Sequence, residues 1–160
     1  MPSKRPSPDP RKKLVRQKAA EISQALAAGD FGTVVRLTYP KVVELAGGSE
    51  KMIGHLQTGM QKMKSNGVAI ASVKVGSPSG FQAAGADLFA IVPTAIELNV
   101  PGGKLTQKSF VVGISSDAGQ SWLFADGNGL GADQVKTVFP NFPDSVPLPA
   151  PQPAVFKETS

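Results

Sequence analysis

Residues 37–63, LTYPKVVELAGGSEKMIGHLQTGMQKM, decide how this chain is read. From Ser49 onward, Met52, Ile53, Leu56, Met60 and Met63 recur at spacings of three and four. At about 100° per residue these side chains fill one arc of a helix. Ser49 is suited to cap its start, because a hydroxyl accepts a hydrogen bond from an orphan N–H of the first turn. Glu50 follows at the positive end of the helix dipole, and Lys62 and Lys64 lie toward the negative end. Asn66-Gly67 supplies a left-handed terminus, so the spacing predicts a helix over 49–66. Gly54 and Gly59 interrupt it, each at about 1 kcal/mol relative to Ala. Gly59 borders the apolar arc, where a neighbouring backbone or a ligand can approach closely. His55, the only histidine, falls just outside that arc beside Lys62.

Upstream, Thr38-Tyr39-Pro40 opens a shorter helix reaching Ala46, with proline favoured in a first turn because its missing N–H would be unpaired anyway. Gly47-Gly48 ends it. Tyr39, the only tyrosine, sits at the bend, its hydroxyl either capping a backbone group or donating into a pocket. Further back, Asp9-Pro10 reads as N-cap and first residue of a helix ending at Gly29, with Leu14, Val15, Ile22 and Leu26 on one face. Asp30 then caps a short turn through Leu37.

Past Gly67 the period changes to two. Val68–Gly76 alternates, Phe81–Ala83 is a brief strand, and Leu88–Val100 is a long β segment in which Pro93 implies a bulge or an edge. Pro101-Gly102-Gly103 turns the chain into Leu105–Ser115, which sets Phe110, Val112 and Ile114 on one face. A last strand runs from Ser121 to Asp126. The junction SSDAGQSW, residues 115–122, matches the Asp-box hairpin: the Asp117 carboxylate accepts turn N–H bonds, Gly119 takes positive φ, and Trp122 packs over the turn. The box occurs once, which does not suggest a propeller, and it reads as structural. Residues 126–133, DGNGLGAD, fail as a calcium loop because Leu130 and Thr137 stand where carboxylate ligands are needed. They fail as a dinucleotide loop for want of the glycine spacing. A turn into a short helix over 132–139 remains.

The 160 residues are 41% hydrophobic, enough for one core-forming domain, and no apolar run approaches the roughly 18 residues that span a membrane. No apolar stretch follows the basic start, so the chain as written reads as soluble and cytoplasmic without a signal peptide, an exported mature form staying open. Zero cysteines exclude disulfides, thiolate metal sites and cysteine nucleophiles. The net charge of +5 is concentrated at one end. Residues 1–18 hold seven basic side chains against Asp9 alone, a net +6, leaving −1 for the remainder. The basicity therefore reads as a solvated tail, and no specific nucleic-acid face is expected. Residues 1–8 read as a disordered basic tail, 9–139 as one α+β domain, and 140–160 as a proline-rich segment of polyproline character.

Helices followed by antiparallel strands is an α+β order. The stretch GDFGTVVRLTYPKVVELAGGSEKMIGHL, residues 29–56, with the strands up to Trp122, resembles the nuclear-transport-factor-2-like superfamily, more narrowly an uncharacterised bacterial group within it. The resemblance spans roughly Leu14 to Phe139. It implies N-terminal helices packed on a strongly curved, cone-like antiparallel sheet with no parallel βαβ units, a pocket between the long helix and the concave sheet face, and homodimers formed through the sheet. The pocket residues it implies are Tyr39, Met52, His55, Leu56, Gly59, Met60, Phe110 and Trp122, lining an apolar space for a small molecule. As catalytic candidates it implies Tyr39, His55 and Asp126, with Glu97 a further polar group. The paired Asp/His spacing of the superfamily's enzymes is absent. The expected function is therefore a non-catalytic small-molecule-binding or dimerising module, with no cofactor and no metal. The alternative is a small-molecule isomerase, lyase or hydrolase working in the same pocket.

Overall fold

The computed structural model describes residues 10–78, 81–127, 132–143, 148–149 and 153–158. Four helices come first: α1 (Pro10–Ala28), α2 (Phe31–Leu37), α3 (Pro40–Leu45) and α4 (Ser49–Ser65). Strands β1 (Ala69–Val75), β2 (Gln82–Ala84), β3 (Asp87–Val100), β4 (Gly103–Ser115) and β5 (Leu123–Asp126) follow, then α5 (Ala132–Val138) and β6 (Val155–Glu158). The class is α+β, with helices packed on a six-stranded antiparallel sheet that does not close into a barrel.

The sheet is a long hairpin with two short strands along each edge. β3 and β4 pair without a register break from Leu88↔Ser115 to Val100↔Gly103. Pro101 and Gly102 form their turn, with Gly102 at φ +83° where a side chain would be strained. On the outer edge of β3, β1 covers Thr94–Asn99 and β2 covers Asp87–Phe89. Pro93 falls between them. Its carbonyl accepts from Gly76 N at 2.8 Å, so its missing N–H faces the same edge, just past the end of β1. Pro93 is thus neither at a bulge nor on an edge strand: β3 is interior, the bulge lies in the β1 pairing between Ile70 and Ser72, and the proline takes the gap between β1 and β2.

Period-two alternation sends neighbouring residues into two cores. On one face Val15 and Ala19 of α1, both fully buried, pack on Ala90, Val92, Trp122 and Phe124. Gly113 makes that approach possible, since a Cβ there would lie 3.1–3.2 Å from Phe124, Trp122 and Val15. On the other face Phe89, Ile91, Phe110, Val112 and Ile114 pack against Val135, Val138, Phe139 and Phe142. Edge-on ring contacts Phe89–Phe139 and Phe89–Phe142, at 5.3 and 5.1 Å, knit this layer.

Several expectations change in detail. The residue capping α4 is Gly48 at φ +105°, with no side-chain bond, so Ser49 is the first helical residue rather than the cap. α1 begins at Pro10 as expected, and this places Arg11, Lys12, Lys13, Arg16 and Lys18 on a helix, so that part of the basic run is not a free tail. Arg11 lies over the Phe81 ring at 5.0 Å, and Arg16 Nε donates to Val75 O at 3.3 Å. These side chains have structural work because α1 crosses the sheet beside them. The polyproline expectation for 140–160 lies partly outside the described residues, and within them it does not hold throughout: Phe142 is buried in the second core and residues 155–158 return as a strand.

Candidate functional site

The Asp-box hairpin and the bend at Tyr39 meet at the edge of the second core. Tyr39 N donates to Phe124 O at 2.8 Å, which anchors the start of α3 to β5. The Tyr39 ring packs on Phe139 at 4.7 Å. As the residue preceding α3 it makes no side-chain capping bond, so its ring serves as a wall while its backbone does the anchoring.

That wall bounds a cleft of about 150 Å³ lined by Tyr39, Asp87, Ile114, Ser116, Ser121 and Leu123. Ile114 and Leu123 supply an aliphatic floor; Asp87 and the two serines supply polar groups at the rim. Asp87 Oδ2 accepts from Asn141 Nδ2 at 2.8 Å, and the same amide nitrogen donates to Ala84 O at 3.2 Å. The segment after α5 thus holds the start of β3 in place. At about 30 Å³ per water, the cleft has room for roughly five water molecules. Pockets for drug-sized ligands are usually about 300 Å³ or more, so this space suits an ion or a very small polar molecule.

Ser121 ties the cleft to the hydrogen-bonded Asp-box turn. Asp117 Oδ1 accepts from Ser115 Oγ at 2.7 Å and from Ser121 N at 2.9 Å, and Oδ2 accepts from Ser121 Oγ at 2.5 Å. Ser115 Oγ accepts in turn from Gly119 N at 2.8 Å. Trp122 Nε1 donates to Gly119 O at 3.1 Å, closing the hairpin over its indole. Gly119 stands at φ +91°, and Ala118 before it also takes positive φ, at 62°. The Ser121 hydroxyl and N–H, followed by the Ser115 hydroxyl, hold the Asp117 carboxyl down to about pH 2 in its ionisation. A carboxylate so committed to turn bonds is a structural anion and a poor proton acceptor.

The eight residues expected to line one pocket are not gathered into one. Phe110 belongs to the core beneath α5, whereas Trp122 belongs to the core beneath α1, on the opposite sheet face. Met52, Leu56 and Met60 lie half-buried on α4, which packs beside α2 and α3, and none of them joins either buried cluster. Gly59 is exposed with open space around it, and His55 is exposed on the same helix. Asp126 is exposed at the end of β5, in register with Val111, and Glu97 forms a surface ion pair with Lys104 at 3.1 Å. Of the expected residues only Tyr39 lines the cleft. The reason is packing: α1, not α4, takes the sheet face that the resemblance assigned to the long helix.

The sequence reading passed over Asp87, Ser116 and Ser121 as site residues. Their meeting depends on the β3–β4 register, which sets Leu88 opposite Ser115 and so brings Asp87 beside Ser116. Among the described residues no three acidic or histidine side chains cluster as a metal site requires, and no helix is long and apolar enough to cross a membrane. Comparison with protein-family models, with curated proteins and with solved structures gives no match.

Proposed function

We propose that this protein is a non-catalytic dimerising module, and that α4 is its docking face. The supporting observation is that α4, five of whose apolar side chains share one arc, buries none of its residues. Met52, Ile53, Leu56, Met60 and Met63 each keep part of their surface open, although every other long element has a side in one of the cores. Methionine-rich faces adapt readily to a partner surface. The sheet is less suited to this role at its centre, where α1 and α5 cover both faces. Charge favours a second copy packed antiparallel: Glu50 lies in the first turn of α4, and Lys62 and Lys64 lie in the last. An antiparallel pair brings each Glu50 toward the other helix's lysines, whereas a parallel pair sets like charges together.

Membership in the nuclear-transport-factor-2-like superfamily belongs to the same proposal and rests on element order, the Gly29-Asp30 turn, the Thr38-Tyr39-Pro40 segment and the strand at Trp122. The isomerase, lyase or hydrolase alternative draws little support from the geometry, since Tyr39 packs on Phe139 while His55 and Asp126 are exposed on other elements.

Sedimentation velocity over a range of concentrations tests the proposal. The full chain is expected to show a concentration-dependent dimer, and Leu56→Glu to shift it to monomer by at least tenfold in Kd. Because Leu56 is only half-buried, its folding stability should change by less than about 1 kcal/mol. A full chain that stays monomeric at high concentration, or a Leu56→Glu variant that dimerises unchanged, overturns it.

A further inference from the structure

We infer that the outer edge of β4 at Gly103–Thr106 is a strand-exchange site, at which the β6 seen on its own chain is replaced, reciprocally, by the β6 of a second copy. The edge is built for this segment. Gly103 pairs with Glu158, Lys104 with Lys157, Leu105 with Phe156 and Thr106 with Val155. Gly103 is buried beneath the strand, and a Cβ there would meet the Lys157 carbonyl and come within 2.8 Å of the Phe156 ring. A glycine at the end of β4 and a phenylalanine in the tail therefore form a matched pair that an unrelated strand would not reproduce.

The same strand is weakly held. All four of its residues are exposed, Val155 at 64% and Phe156 at 54%. Among the described residues it pairs with β4 and with no other strand. Lys157 stands directly opposite Lys104, whose ammonium is already paired with Glu97 at 3.1 Å, so no cross-strand ion pair holds β6 at that position. Leu148 packs against the second core, and four residues, 149–152, join it to Pro153. A chain of that length reaches at most about 18 Å, so delivery to a neighbouring molecule requires the two copies to lie edge to edge. Since an exchanged strand makes the same contacts as a self-paired one, the balance between the two states is set mainly by protein concentration. This inference uses a different surface from α4 and stands apart from the docking proposal.

The absence of cysteine makes the test clean. Thr106→Cys and Val155→Cys are made separately in the full chain, mixed at equal concentration, equilibrated and oxidised. Facing strand residues lie within disulfide reach, so exchange yields an interchain disulfide that joins one variant to the other. The expected result is a covalent heterodimer whose fraction falls severalfold on tenfold dilution before oxidation. It should disappear when Gly103→Leu is added to the Thr106→Cys chain, and persist when both chains carry Leu56→Glu. A mixture that gives no interchain disulfide overturns the inference, whether or not a Thr106→Cys/Val155→Cys double variant closes within one chain. So does a heterodimer that survives Gly103→Leu.

Discussion

Asp117 shows how one side chain can hold a turn. Its two oxygens take three hydrogen bonds from Ser115 and Ser121, and the ionised form is the one those donors favour. With the folded-state carboxyl at about 2 against an ordinary value of 3.8, the bonds stabilise the fold fully above about pH 4. That contribution fades as pH falls from about 4 toward 2. Asp117→Asn should therefore melt below the unchanged protein at pH 6, with the gap narrowing steadily as thermal unfolding is repeated down to pH 2. A gap that widens on acidification would show that the carboxylate is not the stabilising form. Asp30 is a second instance: the Thr33 hydroxyl, at 2.7 Å, and the Thr33 N–H lower its ionisation and fix the start of α2.

At the scale of an element, α4 combines good local signals with little burial. Glu50 stands in the first turn, Lys62 and Lys64 in the last, and Asn66 closes the end by donating its N–H to the final carbonyls. Two glycines work against these signals, and neither has an internal packing reason: no atom lies within 4 Å of the place a Cβ would take at Gly54 or Gly59. Gly59→Ala should accordingly stabilise the monomer by about 0.5–1 kcal/mol in urea denaturation at low protein concentration. The same change is expected to weaken self-association through α4 if a partner backbone comes close at Gly59. A destabilised monomer would instead reveal a tight approach within the chain.

For the molecule as a whole, stability is concentrated where the second core joins segments distant in sequence. Phe139 is fully buried and touches Tyr39 from the helical half, Phe89 from β3 and Phe142 beyond α5. Phe139→Ala should cost about 3–5 kcal/mol, read as a lower urea midpoint. Against a typical total of about 5–15 kcal/mol, that is a large share of the fold's stability. A loss below about 1 kcal/mol would mean that the layer behind α5 is not part of the cooperative unit.

Much of this architecture follows from residue order. Asp30, Gly29 and Gly47-Gly48 end and start helices because backbone conformation and capping are local. Alternation in Leu88–Val100 and Leu105–Ser115 defines the two-faced hairpin because side chains in a strand point alternately to opposite sides. The Asp box is legible for the same reason, its bonds spanning only residues 115–122. Those parts the chain determined by itself. Which helix covers which face is not local. α1 and α4 both carry apolar arcs, and it is α1 that lies on the sheet, where Val15 fits against Gly113 and no side chain intervenes. The cleft at Tyr39 and the return of residues 155–158 to β4 likewise depend on pairings across tens of residues. Only the tertiary structure decides them, because register and layer order are properties of packed surfaces and not of any one stretch of chain.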